Sequence, residues 1–155
     1  MILKALQSAG IPATLEPVGL SRADNKRPDG LTLVPWQRGK CLVWDATVVH
    51  RLADSYHVNA LLDGSKVASA AELRKLSKYR ALSDYYMQPV AIETLGGIGE
   101  LSLLFIRRLG LLISRRSDDV REAQYLRQRL SINLVIGNAA CIFESLGSHS
   151  VSDDI

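Results

Sequence analysis

The fold is decided by residues 27–49, which read Arg27-Pro-Asp-Gly-Leu-Thr-Leu-Val-Pro-Trp36, then Gln37-Arg-Gly-Lys40, then Cys41-Leu-Val-Trp-Asp-Ala-Thr-Val-Val49. Two apolar runs rich in β-branched residues flank a short polar segment, a pattern typical of two strands joined in a hairpin. The second run is apolar at both alternating positions, which predicts a central strand covered on both faces. Asp45 lies in the middle of that run. Burying even a neutral polar group without a partner costs about 2–7 kcal/mol, so we expect a cation or hydrogen-bond donors beside Asp45.

The composition predicts one folded domain. The chain has 155 residues, of which 47% are hydrophobic and 23% are charged, and this length is sufficient for a substantial core. The net charge of +3 is compatible with a nucleic-acid partner but does not require one. The most apolar window, Ile98 to Ile113, contains Glu100 and Arg107 and is too short and too charged to cross a bilayer. We therefore expect a soluble protein with no membrane partner.

Periodicity and turn residues divide the chain into segments. The predicted elements are a helix at Ile2–Ala9, a brief strand at Ala13–Glu16, the two hairpin strands, a long helix at Lys66–Met87, a strand at Gln88–Thr94, and helices at about Ile98–Arg116 and Asp118–Leu146. Residues 1–26 are thus an N-terminal helix, strand and loop, residues 27–94 the core, and residues 98–146 the C-terminal helices. Residues 148–155 have the composition of a disordered tail. This order predicts a single α/β domain over residues 1–147, with a small mixed sheet and helices on both faces.

Three local patterns carry expectations about burial. The long helix is expected to bury an apolar stripe formed by Leu73, Leu76, Tyr79, Leu82 and Tyr86. The last helix is apolar nearly all round from Leu134 to Phe143, so we expect this half to be buried. Cys41 and Cys141 fall in apolar segments and are interpreted as reduced core residues of an intracellular protein.

Asp45 has two polar neighbours in the hairpin. Thr47 lies on the same face of its strand, because side chains alternate. Asp29 begins the partner strand, and its position depends on the register of the hairpin. If Cys41 pairs with Pro35, both carboxylates share one face. If Cys41 pairs with Trp36, they face opposite sides unless Asp29 lies outside the ladder. The sequence leaves both registers open.

A pair of carboxylates and a nearby cation would suit phosphodiester chemistry. Two carboxylates on one face can hold Mg²⁺ or Mn²⁺, which prefer oxygen ligands. Such an ion can polarise a phosphodiester and lower the pKa of an attacking water. A lysine would stabilise the charge that develops at the phosphate. Lys75 and Lys78 of the long helix are the candidates, because they lie on or beside its apolar side, whereas Arg74 points further out.

These residues resemble a known nuclease signature. Pro28-Asp29 followed by Asp45-Ala46-Thr47 is similar to the Pro-Asp…(Asp/Glu)-X-Lys motif of the restriction-endonuclease-like nucleases. More closely, Arg-Pro-Asp at 27–29, Val-Trp-Asp-Ala-Thr at 43–47 and Ala-Glu-Leu-Arg-Lys-Leu-Ser-Lys-Tyr at 71–79 resemble the endonuclease domain of site-specific non-LTR retrotransposons. In that family, a strand of this kind is followed by a helix bearing Lys-Tyr. Residues 27–147 also resemble the region that follows the reverse transcriptase in retroelement-derived open reading frames.

The resemblance implies a restriction-endonuclease-like core and a metal-dependent endonuclease that nicks DNA. It makes Asp29 and Asp45 metal ligands, with Mg²⁺ or Mn²⁺ as the cofactor. Thr47 stands at the position of the signature lysine, so the lysine role passes to Lys75 or Lys78, as in the retrotransposon branch. The implied partners are DNA and an upstream reverse transcriptase, and the implied location is the nucleus.

Two further acids are candidates for the same metal site. Glu93, at the end of the predicted strand 88–94, and Glu16 could each add a carboxylate ligand, although neither matches a position of the motif. Glu93 could equally cap the helix that follows or pair with an arginine.

A second hypothesis is a non-catalytic DNA- or protein-binding remnant that keeps the nuclease fold with an incomplete site. Thr47 in place of the signature lysine supports it. Pro-Asp-Gly at 28–30 is also an ordinary turn sequence, and either lysine alone could simply extend along the apolar surface. Arginines give the C-terminal half a basic face, which would be solvated or would bind the DNA backbone: Arg107, Arg108, Arg115, Arg116, Arg121, Arg127 and Arg129.

Overall fold

The computed structural model describes residues 1–20, 27–50 and 66–147. The elements in these ranges are α1 (Ile2–Ser8), β1 (Ala13–Leu15), β2 (Gly30–Gln37), β3 (Lys40–Val49), α2 (Lys66–Lys78), β4 (Tyr86–Glu93), α3 (Glu100–Ser117) and α4 (Glu122–Gly147). The tail predicted at 148–155 and most of the loop predicted before residue 27 lie outside the described residues. In the described part of the chain, no helix is long and apolar enough to cross a membrane.

The strands form one sheet in the order β1-β2-β3-β4. The pairs β1/β2 and β2/β3 are antiparallel, whereas β3 and β4 are parallel. Helix α2 packs on one face of this sheet, while α1, α3 and α4 pack on the other. The prediction of a mixed sheet with helices on both faces is therefore confirmed, and β3 is the central strand that its two apolar faces indicated.

The larger core lies between the sheet and helices α1, α3 and α4. Its centre is Trp44 of β3, which is almost fully buried against side chains from all three helices. The indole ring lies directly over Gly30 of β2, where an added Cβ would sit 2.1 Å from a ring carbon. Glycine at this position therefore decides how the aromatic side chain fits, since any larger residue would displace the ring.

The smaller core lies between the sheet and α2. It is built from short side chains, including Ala68 and Ala71 of α2 and Ala91 of β4, so the helix can approach the sheet closely. Behind it lies Glu72, which is 1% exposed.

The Glu72 carboxylate accepts the backbone N–H groups of Leu101 and Ser102 at 3.1 and 2.7 Å and also the hydroxyl of Ser102. These N–H groups have no partner within α3 because they lie in its first turn. Glu72 therefore caps α3 and ties it to α2.

The hairpin turn consists of two residues. Arg38 and Gly39 have φ values of 50° and 73°, and positive φ at both central residues is the conformation whose twist matches antiparallel strands.

The hairpin register agrees with one of the two expected alternatives only near the turn. Cys41 pairs with Pro35, but an irregularity follows, and Leu31 then pairs with Val43. A uniform ladder from the Pro35–Cys41 pair would place Leu31 opposite Asp45, so the bulge shifts the far end of β2 by two residues relative to β3.

The prediction of α2 was wrong at its C-terminal end and in part of its buried face, although Tyr79 of the expected stripe is buried. The helix ends at Lys78 rather than Met87, and Tyr86 already belongs to β4, where its backbone pairs with β3. Leu73, expected in the apolar stripe, is 65% exposed. The sheet leaves room only for short side chains, so Ala68 and Ala71 face it instead.

The expectation of burial for the second half of α4 was also wrong. The helix contacts the core through Leu126 and Leu130, while Ile136 and Phe143 are largely exposed. Helix α4 has 26 residues and α3 has 18. The C-terminal part of α4 therefore extends beyond the end of α3, against which it packs. Both cysteines are free thiols, but Cys141 lies on this exposed part of α4 and is not a core residue.

Candidate active site

The centre of the candidate site is the buried carboxylate of Asp45. The alternation of β3 places Asp45 on the face that α2 covers. The helix presents Lys75 to it, because Lys75 lies one turn beyond the buried Ala71. Its ammonium donates to Asp45 Oδ2 at 2.6 Å and to the backbone oxygen of Ala46 at 3.2 Å. The cation that the sequence required beside Asp45 is thus supplied by α2.

Asp29 reaches the same position from the other side of the hairpin. The bulge in β2 sets Gly30 opposite Trp44, so the chain leaves the ladder beside Asp45. Asp29 Oδ2 accepts the backbone N–H of Ala46 at 2.6 Å. Both carboxylates and the lysine therefore meet at the peptide groups on either side of Ala46.

The surroundings of Asp29 affect its ionisation. Partial burial, the strongest influence, raises the pKa of Asp29 above its ordinary value, and the negative charges of Asp45 and Glu16 raise it further. The hydrogen bond from Ala46 N–H and the charge of Lys75 act in the opposite direction. The net shift is upward, so Asp29 holds its proton more tightly than a solvated aspartate.

The donor set suits a small hard cation that keeps several of its waters. Asp29 and Asp45 each use Oδ2 in the contacts above, and within the described residues no protein group donates to their Oδ1 atoms. The same part of the chain holds no group of three or more histidine, cysteine or acidic side chains placed to bind one metal ion together. Mg²⁺ is commonly bound through one or two carboxylates, with water and phosphate oxygens completing its shell. The two aspartates fit that pattern.

Lys78 and Thr47 are not part of this cluster. Lys78 is the last residue of α2 and is exposed. Thr47 lies on the Asp45 face of β3, but two residues further on, about 7 Å along the strand. Of the two candidate lysines, only Lys75 contacts an acidic residue of the site.

Neither of the additional acids contacts the cluster through its side chain. Glu93 pairs with Val49, four residues beyond Asp45 on β3 and about 13 Å away along the strand. Its carboxylate is completely buried and accepts the N–H of Ala68 at 3.3 Å, in the first turn of α2. Glu93 therefore stabilises the start of α2. Glu16 is linked to Asp29 through the backbone, by a 3.0 Å hydrogen bond from its N–H, and affects the site through its charge.

The arginine-rich helices lie on the opposite face of the sheet from Lys75. Some of their arginines have intramolecular roles. Arg108 stacks on Trp36, with its guanidinium carbon 4.4 Å from the ring centroid, and Arg121 and Arg129 pair with acidic residues. The basic face expected from the sequence is exposed, but it does not surround the two aspartates.

Two features of the structure, one in the site and one in α2, escaped the sequence analysis. The peptide groups of Ala46, which contact Asp29 and Lys75, belong to the backbone and leave no trace in the sequence. Glu72 was missed because it was treated as an ordinary polar residue of α2. Its position one turn after Ala68, on the side of α2 with the smallest residues, was the available signal.

Comparison with known proteins does not assign this chain to a family. No family model matches it, and no curated protein matches its sequence.

Proposed function

We propose that this chain is a metal-dependent DNA endonuclease domain of retrotransposon origin, built on a restriction-endonuclease-like core and acting in the nucleus. The observation that supports this proposal most strongly is that the side chains of Asp29, Asp45 and Lys75 lie together beside Ala46. These residues come from three segments that resemble the nuclease signature, and they are far apart in the sequence. Their proximity in the fold supports the proposal.

In this proposal, Asp29 and Asp45 bind Mg²⁺ or Mn²⁺ through their carboxylate oxygens. A cation bound there supplies polarisation of the phosphodiester and a water of lowered pKa. Lys75 stabilises the negative charge that develops on the phosphate, or positions the water. Its flexible side chain can exchange Asp45 for a phosphate oxygen nearby. Asp29 must be ionised to bind a cation, so its raised pKa predicts activity that increases with pH.

One observation favours the alternative of a binding module without catalysis. The contact between Lys75 and Asp45 satisfies both charges in the absence of a metal. Thr47 also stands where the signature has a lysine. A remnant of a nuclease could keep this ion pair for stability alone, and it would bind DNA or a protein through its surface.

Nicking of supercoiled plasmid by the purified chain separates the two functions. We expect conversion to open circles in Mg²⁺ or Mn²⁺, none in EDTA, and none with Asp45→Asn, which keeps the size of the side chain. DNA binding, measured as a function of salt, is the second readout. Salt-sensitive binding without nicking in either metal would favour the remnant over the endonuclease.

A further inference from the structure

A groove lies on the outer side of α3 and α4, across the sheet from the two aspartates. It has a volume of about 840 Å³. The helices approach closely beneath it, because Gly110 of α3 lies against Ala123 of α4, where an added Cβ would be 2.7 Å from Cα. The floor of the groove is therefore fixed by backbone packing.

The groove has an apolar floor. Leu111 of α3 and Ile132 of α4 line it, and each is more than half exposed. The apolar surface continues in the same direction on both helices, through Leu104 on α3 and Val135 on α4, which are also more than half exposed. Exposed aliphatic side chains grouped in this way mark interaction surfaces rather than ordinary solvated helices.

The rim of the groove is basic. Arg107 of α3 and Arg127 of α4 line it, together with neutral polar residues, and no acidic side chain is among the lining residues. A second copy of the chain seated in the groove would bring its own Arg107 and Arg127 towards the same arginines. Like charges placed together oppose such a contact. The charge of the rim therefore favours an acidic occupant.

We propose that this groove docks an amphipathic α-helix of a partner protein, with an apolar stripe on the floor and acidic residues against Arg107 and Arg127. A groove between two packed helices accepts a third helix by interdigitation of side chains. Along α4, from Gln124 to Val135, it accommodates about 18 Å of partner helix. Nucleic acid fits less well, because surfaces that bind it are polar and charged, whereas this floor is aliphatic.

Two synthetic peptides of about 18 residues test the proposal by fluorescence anisotropy against the full chain. Both carry the same leucine stripe at helical spacing; one is flanked by glutamates and the other by lysines. We expect saturable binding of the glutamate peptide, weaker at high salt, and much weaker binding of the lysine peptide.

A charge reversal makes the test specific to the groove. Arg107→Glu combined with Arg127→Glu should lower the affinity for the glutamate peptide by at least about tenfold and raise the affinity for the lysine peptide. Arg80→Glu combined with Arg115→Glu changes the net charge equally but alters exposed residues outside the groove, so it should change neither affinity. Circular dichroism establishes that all variants are folded.

Replacement of the apolar floor is the second arm. Leu111→Gln combined with Ile132→Gln should abolish binding of the glutamate peptide at every salt concentration, without unfolding the chain, because both side chains are exposed.

Three results would overturn the proposal. The first is no saturable binding of the glutamate peptide, or equal binding by the two charge variants. The second is a dimer of the wild-type chain in light scattering that Ile132→Gln dissociates, which would assign the groove to a second copy. The third is loss of DNA binding in the Arg107/Arg127 variant while peptide binding is unchanged. None of these readouts depends on nuclease activity.

Discussion

Lys75 and Lys78 form a matched pair for testing the candidate site, because both were predicted from the sequence as site residues and they lie on the same helix. The side chain of Lys75 is 18% exposed and that of Asp45 is 11% exposed, which places their contact between a surface ion pair and a fully buried one. A surface pair contributes about 0–1 kcal/mol, whereas removing one partner of a buried pair costs about 3–5 kcal/mol. We therefore expect Lys75→Met to lower the free energy of unfolding by about 2–3 kcal/mol.

Urea denaturation measures this effect. A loss of 2–3 kcal/mol should move the unfolding midpoint by about 1 M, while Lys78→Met should change stability by less than about 0.5 kcal/mol because Lys78 is exposed. The double variant Asp45→Asn/Lys75→Met should lose less unfolding free energy than the sum of the losses in the two single variants, because the two residues interact directly. Equal stability of the two lysine variants, or strict additivity with Asp45→Asn, would refute the ion pair.

Three further predictions concern groups outside this pair. Glu72→Ala should cost at least about 3 kcal/mol in thermal unfolding, because it leaves donors of α3 unsatisfied, and Glu72→Gln should cost less. The pKa of Asp29 is raised in the folded state, so the stability that Asp29 contributes is present at low pH and is lost as the pH rises through that pKa. Asp29→Asn should therefore gain stability relative to wild type from about pH 4 upward. A difference in unfolding free energy between the two proteins that does not change with pH would contradict this. Gly30→Ala should cost about 1–3 kcal/mol and shift the fluorescence of Trp44, while Gly137→Ala, an exposed helical position with open space, should stabilise by about 0.5–1 kcal/mol.

The general architecture could be predicted from the sequence because each element carried its own local signal. The two-faced apolar pattern around Trp44 predicted a central strand, and the turn residues predicted the hairpin. The boundary of α2 could not be predicted, because the residues after Lys78 suit a helix as well as a strand. In the structure, residues 79–85 form turns, and pairing with β3 begins at Tyr86.

The candidate site was predictable to a similar degree. Asp45 stood out as a carboxylate in an apolar strand, which indicated a partner but did not identify it. The choice of Lys75 over Lys78 follows from how α2 lies on the sheet, and the position of Asp29 follows from a bulge in β2. Long-range packing decides both, and it has no local signature in the sequence. The exposure of the second half of α4 was not predicted, because an apolar sequence does not indicate whether another element of the fold covers it.

The most direct test of the proposed endonuclease site is the initial rate of plasmid nicking in Mg²⁺ by four proteins: wild type, Asp45→Asn, Lys75→Met and Lys78→Met. We predict metal-dependent nicking by wild type, with Lys78→Met within about threefold of it, a loss of about 100-fold or more in Lys75→Met, and no nicking by Asp45→Asn. Nicking that persists in folded Asp45→Asn, or that falls equally in both lysine variants, would contradict the assignment of catalysis to Asp29, Asp45 and Lys75.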